Sequence, residues 1–520
     1  MALVAELLAA LPVESRGTGD FAVNESAHHE RDGRVLAKAL RRVVHPGFPV
    51  FTGRCTEGFR GGLQGSQAQR PPGARVGGGQ HAYLCGLHGF DIVSTDARRA
   101  RRTARCAARR EYDGTMASFK HLILGGGMVA GHCAKQYVEN GGKAGELAIV
   151  SGDDALPYER PPLSKGFLAG KDSEESVRIN AAEFYAEHGI DVRLNTRVNS
   201  IDARGGRLST SSGEEFGFEK LILATGAEVR RLDVPGAASS NVLYLRSLND
   251  SKRLRDASIK AKHAVVAGGG FIAMEVASVL ASRGIETTIL ARQNRFGAAF
   301  FTPEMSAFFE KYYVDRGVRI LKQTEVMGIE KGSRALLKDG RAVDFDLFLA
   351  GIGVQPVTVL AEKAGLPVDN GILVNEYLET RDANLYAAGD VANYPDSLFG
   401  MKRRRVEHWD NAVSQGQYLA GALLGKREPF VHVPYFFSDV FDLSYEFWGD
   451  PSPSDRVVHR GDLQTSSFSI WWLSQNRLVA AFAMNRPDEE RELAPELIRS
   501  RKLLSAERLR EAGSVRDAAA

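Results

Sequence analysis

Residues 119–137 read FKHLILGGGMVAGHCAKQY, an apolar run closed by three glycines and followed by a helical pattern. Leu122, Ile123 and Leu124 give the register of a buried parallel strand, and Gly125, Gly126 and Gly127 follow without a break. In a strand–turn–helix unit of this kind Gly125 turns the chain, Gly127 lets the backbone approach a pyrophosphate, and Ala130 lets helix and strand pack closely. The phosphates then sit at the helix N-terminus, where free N–H groups and the macrodipole favour an anion. A glycine triplet also occurs in plain turns, so the reading gains its weight from repetition. Residues 263–275 repeat it as HAVVAGGGFIAME, with Gly268 and Gly270 in the phosphate turn and Ala273 in the packing position. Two such units predict two dinucleotides.

The stretches between and after the copies fill in the site. A strand at Leu147–Val150 leads past Asp153 into PYERPPLSKGFLAG, where Pro161 and Pro162 stiffen the path and present Arg160 and Lys165 from a fixed backbone. KLILATG at 220–226 is another apolar strand with a tight turn, carrying Thr225 and Gly226. The strand TTILA at 287–291 ends where such a unit usually places an acid to grip a ribose 2′-hydroxyl, and here Arg292, Gln293 and Arg295 follow instead. An arginine pairs with a 2′-phosphate, and the missing acid removes the repulsion that a phosphate would meet, so NADPH is expected over NADH. FDLFLAGIGVQP at 345–356 adds a strand and the turn of Gly353. LYAAGDVANYP at 385–395 sets Asp390 after Gly389 at the carboxyl edge of a sheet, within reach of a sugar-alcohol hydroxyl. GMKRRRVEHWDN at 400–411 combines a basic run with Glu407, His408 and Trp409. Lys402 to Arg405 read as a solvated charged face, with a landing site for an acidic partner or an anionic substrate as the alternative. Beyond residue 430 the period shortens to that of antiparallel strands, and 488–512 is charged and helical in period.

Composition narrows the classes. A chain of 520 residues is too long for one core and suggests two to four domains. A net charge of +3 is nearly neutral at this size, which argues against a nucleic-acid partner and a membrane-surface role. No apolar run reaches the roughly 20 residues that span a bilayer. Cys55, Cys85, Cys106 and Cys133 form no CxxC and no zinc spacing, so no metal is expected and a reducing, cytoplasmic setting fits. Residues 1–115 are different in kind: glycines without period, frequent arginine and Lys38 as the sole lysine suggest a disordered or dispensable extension. Its run RRARRTARCAARR at 98–110 has interleaved acids nearby and no aromatic stacking platform, against an Arg-rich nucleic-acid arm. Met116 opens MASFKHLILGGG and is the expected natural start.

Taken in order, GGGMVAG, PYERPPLSK, LILATG, GGGFIAME, GIGVQP, YAAGD and EHWD resemble the FAD-dependent pyridine-nucleotide oxidoreductases of the ferredoxin-reductase type, over about residues 118 to 510. That group includes monodehydroascorbate reductase and the reductase fold of apoptosis-inducing factor. LFGMKRRRVEHWD and PYFFSDVFDLSYEFWGD look especially like the monodehydroascorbate reductase branch. The resemblance implies an α/β fold with two Rossmann-like three-layer domains and a C-terminal α+β interface domain. It implies an FAD domain at 116–230 and 347–428, an NAD(P) domain at 231–346, the third domain at 429–512 and a tail at 513–520.

By position, Gly125, Gly127, Ala130 and Gly131 would bind the FAD pyrophosphate and Asp153 the adenosine ribose. Arg160 and Lys165 would approach the flavin, Thr225 and Gly226 would line it, and Asp390 would hold the ribityl chain. Glu275 would partner Lys165, keeping the lysine charged beside the reactive edge of the ring. Trp409 would lie against the flavin region, with His408 beside it shaping the acceptor site. KGFLAGKDSEESV, where disulfide-reducing relatives carry redox cysteines, has none, which excludes a thiol relay. The implied activity is hydride transfer from NAD(P)H to FAD, then single electrons to an iron–sulfur protein or an organic radical such as monodehydroascorbate, in a monomer or homodimer. The rival is a binding or signalling flavoprotein like apoptosis-inducing factor, with slow NAD(P)H oxidation.

Overall fold

The computed structural model describes residues 116–511 and 513–518. The extension 1–115, with Cys55, Cys85, Cys106 and the arginine run, lies outside the described residues.

The first domain is built on the opening stretch. Strand Ala117–Leu124 lies between Leu147–Val150 and Glu215–Leu223, parallel to both, with Asp191–Arg193 beyond the former and Leu385–Ala387 beyond the latter. Leu122, Ile123 and the helix residue Ala130 are fully buried because helices and loops cover both faces of this parallel sheet. At its carboxyl edge Gly125 N–H donates to the Val150 carbonyl at 2.8 Å, and Ala224 N–H donates to the Leu124 carbonyl at 2.9 Å. Gly125 takes φ +124°, and a side chain there would meet the Ala224 carbonyl oxygen at 2.2 Å, so the turn demands glycine. Helix Met128–Glu139 starts from Gly127 with no side-chain cap.

The second domain repeats the first almost bond for bond. Strands Arg319–Lys322, Glu286–Ala291, His263–Ala267, Leu347–Ala350 and Val242–Leu243 stand side by side, all parallel. Gly268 N–H donates to the Leu290 carbonyl at 2.9 Å, and Gly351 N–H donates to the Ala267 carbonyl at 2.8 Å. Gly268 takes φ +142°, with the Gly351 carbonyl oxygen 2.2 Å from where its Cβ would be. Helix Phe271–Ser282 again starts from a glycine, Gly270, without a side-chain cap. The expected boundary at 346/347 is corrected here, because Leu347–Ala350 pairs with His263–Ala267 and belongs to the second sheet. The antiparallel pair Ala227–Val229 with Val354–Pro356 carries the chain out of and back into the first domain. An apolar strand before a glycine turn looks the same in both domains, so its sheet was not legible.

The C-terminal domain is a five-stranded antiparallel sheet in the order Tyr435–Val440, Leu443–Gly449, Arg477–Met484, Ser467–Ser474, Arg456–Asp462. Tyr445, Phe447 and Phe482 on one face share a core with Phe301 and Phe309 of the second domain. The other face packs on helix Asp488–Ser500 through Leu493, Leu497 and Ile498. Val515 and Ala518, placed above in a tail, are buried in that same core. No helix among the described residues is long and apolar enough to cross a membrane.

Candidate active site

The two glycine turns open into one cavity of about 1470 Å³. A site for one small molecule measures roughly 300–1,000 Å³, so this space is large enough for two extended ligands meeting end to end. Gly125, Gly127, Asp153, Arg160, Lys165, Thr225, Gly226, Gly389 and Asp390 line its first-domain side. Gly268, Gly270, Ala273, Glu275, Arg292 and Gly353 line the second-domain side, and Glu407, His408 and Trp409 close it toward the C-terminal sheet.

Lys165 and Glu275 meet where the halves join, Nζ to Oε1 at 2.8 Å. Their sequence separation is 110 positions, yet each follows directly from a turn: the proline-stiffened loop carries the lysine, and the first helical turns after Gly270 carry the glutamate. Glu275 is 3% exposed and its two oxygens also accept from Ser438 Oγ at 2.6 Å and Ser164 Oγ at 2.5 Å. Lys165 Nζ lies 5.1 Å from the centre of the Phe437 ring.

Around the first turn positive charge exceeds negative. Arg246 pairs with Asp390 at 2.7 Å, while Arg160 donates to the Arg246 backbone carbonyl. Burial, with the Arg246 guanidinium beside it, pushes the Arg160 pKa down from its usual value. Arg246 Nε is buried without a hydrogen-bond partner. Two guanidiniums facing one carboxylate, next to an uncapped helix N-terminus, suit a diphosphate. His408 is held between the Phe436 and Phe300 rings, 4.9 and 6.2 Å away, with Nδ1 unpartnered. Burial pushes its pKa down to about 4, so the ring is neutral at physiological pH. Trp409 Nε1 donates to Glu159 Oε2 at 2.5 Å, and Glu159 Oε1 lies 3.1 Å from His132 Nε2. The unpartnered Arg246 Nε and the glycine-only turns fit FAD at Gly125–Gly127 and a pyridine nucleotide at Gly268–Gly270.

Several expectations are corrected. Ala130 and Gly131 do not line the cavity: a Cβ on Gly131 would lie 2.6 Å from Ile179, so the residue serves close packing. Arg295 is absent from the lining as well, its guanidinium donating to the Phe301 carbonyl and to Ser306 Oγ at 3.3 Å. The basic run is a solvated face only in part: Lys402 and Arg403 are exposed, while Lys402, Arg404 and Arg405 line the cavity. Arg403 donates to the Val374 and Asn393 carbonyls, both at 2.9 Å, and Arg404 lies 3.1 Å from each of Asp396 and Asp450. Arg405 pairs with Glu407 at 2.6 Å and donates to the Asp390 carbonyl, which leaves Lys402 exposed. Asp153 faces the cavity with Oδ2 accepting from the Tyr158 hydroxyl at 3.0 Å.

Sequence reading missed Ser164, Arg246, Ser438 and Glu325. The last is an acid beside the second turn, 3.9 Å from Arg292, brought there by the loop after edge strand Arg319–Lys322. Ser164 adjoins Lys165 in the chain, but no local signal marks the other three. Cys133 is buried and its thiol pKa is pushed up to about 12 by burial, so it is unreactive. Among the described residues no cluster of His, Cys, Asp or Glu is arranged to hold a metal.

The chain belongs to the pyridine nucleotide-disulphide oxidoreductase family, whose model matches residues 119–416, and a reductase C-terminal model matches 435–519. It is thus an FAD-dependent NAD(P)H oxidoreductase that passes electrons to an acceptor. It is 35% identical over 422 residues to monodehydroascorbate reductase 2, peroxisomal, of Oryza sativa, covering 76% of this chain and 88% of that one. Monodehydroascorbate reductase 4, peroxisomal, of Arabidopsis thaliana is 37% identical over 398 residues, 72% of this chain and 81% of its own. Among solved structures, a ferredoxin reductase from Rhodopseudomonas palustris superposes with a TM-score of 0.73 at 31% identity, covering 77% of this chain and all of that one. Putidaredoxin reductase, solved as a covalent complex with putidaredoxin, gives 0.73 and 31% over 76% of this chain and 96% of its own.

Proposed function

We propose that this protein uses NADPH in preference to NADH and delivers single electrons to monodehydroascorbate or a small iron–sulfur protein. Bound FAD would supply the step from hydride to single electrons, and the protein's task is positioning and electrostatics. The observation that carries the reading is the Lys165–Glu275 ion pair at the junction of the two glycine turns, 2.8 Å across and shielded from water. Gly125 to Gly127 and the Arg160, Arg246, Asp390 group would hold FAD, with Thr225 and Gly226 along it. Gly268 to Gly270 would take the nucleotide, and Arg292, with a side chain 76% exposed in the cavity, would meet a 2′-phosphate. Neutral His408 and the Glu159-locked indole of Trp409 would close the acceptor side. Few cysteines support a reducing, cytoplasmic setting. The test is a panel of acceptors, ferredoxins, rubredoxin, monodehydroascorbate and quinones, offered to the NADPH-reduced enzyme. Rapid turnover with one of the first three supports the reading, and turnover with quinones alone contradicts it.

A further inference from the structure

We propose that Ser438 is a positioning residue for the Lys165–Glu275 pair: a hydroxyl of the C-terminal sheet that keeps a second-domain carboxylate aimed at a first-domain lysine. The proposal rests on the reading of that pair as functional. Glu275 receives three donors from two separate elements. Ser164 and Lys165 come from the proline-rich loop, and Ser438, itself fully buried, comes from strand Tyr435–Val440. Ser438 and Lys165 share one oxygen, Oε1, at 2.6 and 2.8 Å, so the serine fixes where that oxygen points and hence where the ammonium sits. The preceding residue, Phe437, places its ring 5.1 Å from the same ammonium. One strand therefore holds both members of the pair.

Among the described residues, the hydroxyls that donate to Glu275 are those of Ser164 and Ser438. Tyr313, on helix Pro303–Val314, spends its hydroxyl on the Met274 carbonyl at 2.8 Å. Tyr445 is fully buried on the neighbouring strand and, like Tyr313, has its pKa raised, first by burial, so both remain neutral. Lys165 is the one cation within ion-pair distance of this carboxylate among the described residues. A carboxylate cut off from water is held in one orientation by such donors, and removing one loosens it. Without the Ser438 hydroxyl, Oε1 is free to turn and the Lys165 ammonium loses its fixed partner.

The experiment compares Ser438→Ala, Ser438→Thr and Lys165→Met with the wild type in the flavin-bound protein. The first readout is the rate of anaerobic flavin reduction by NADPH. The second is the rate at which an amine-directed acylating reagent labels Lys165, read by peptide mass spectrometry, which needs no turnover. Ser438→Ala should slow flavin reduction about tenfold with FAD still bound and label the less firmly held Lys165 faster. Ser438→Thr, which keeps the hydroxyl, should restore both. A Ser438→Ala protein with a lower melting temperature but unchanged reduction and labelling rates would make the serine a packing residue and overturn the proposal. Lys165→Met separates the two levels: if it slows reduction while Ser438→Ala changes nothing, the proposal alone falls, and if it reduces at the wild-type rate the reading of the pair falls with it.

Discussion

Replacing Glu275 by leucine removes the negative half of a buried pair and leaves its donors behind. Lys165 loses a partner at 2.8 Å, and the hydroxyls of Ser438 and Ser164 lose acceptors at 2.6 and 2.5 Å. Breaking a buried pair from one side costs about 3–5 kcal/mol, because the remaining charge stays desolvated. For a unit of 150–250 residues each kcal/mol shifts the melting temperature by about 2–4 °C, so Glu275→Leu should melt on the order of 10 °C lower. Removing both charges, as in Lys165→Met/Glu275→Leu, leaves no unpaired ion and should recover more than half of that loss. The assay is calorimetry of the four proteins of this cycle at one pH with saturating FAD. A single variant within about 2 °C of the wild type, or a double variant as unstable as the sum of the two singles, would refute the reasoning.

Three further outcomes follow. Gly125→Ala should lose FAD, while Gly268→Ala should keep FAD and lose NAD(P)H binding, because each added Cβ would lie 2.2 Å from a backbone carbonyl of its own domain only; flavin absorbance and nucleotide titration read the two separately. His121 is 1% exposed with both ring nitrogens unpartnered, and burial, helped by Lys120 and Lys220, pushes its pKa down from 6.5 to about 4. The unfolded chain therefore takes the proton first as pH falls, and about 3 kcal/mol of stability present above pH 6.5 is lost by about pH 4; denaturant titrations of His121→Leu should show a flatter acid limb, and curves parallel to the wild type would contradict this. Arg292→Ala should raise KM for NADPH about tenfold and leave NADH unchanged, the loss of one charge-assisted contact.

The parts of the fold read correctly are those whose information is local. Gly125 and Gly268 announce their turns because a positive φ against a neighbouring carbonyl admits no side chain, and that need is written at a single position. The proline loop announces Lys165 for the same reason, since its path is set by its own residues. What was not legible depends on partners far away in the chain. Ser438 reaches Glu275 across 163 positions and Arg246 reaches Asp390 across 144, and neither serine nor arginine there differs from its surroundings in sequence. The solvated reading of 402–405 holds only for Lys402 and Arg403, because Arg404 turns onto buried Asp396 and Arg405 onto Glu407 and the Asp390 carbonyl. Arg295 was misread by position: it follows the right strand, but its guanidinium turns back to its own loop and helix.

The central claim is that nucleotide and flavin meet at the Lys165–Glu275 junction and that electrons then leave one at a time. Anaerobic stopped-flow mixing of the flavin-bound protein with NADPH, followed by a one-electron acceptor, tests it most directly. The account predicts rapid flavin bleaching and prompt reoxidation by the acceptor, both slowed in Lys165→Met with FAD still bound. Slow bleaching to a long-lived charge-transfer complex that no acceptor discharges would contradict it.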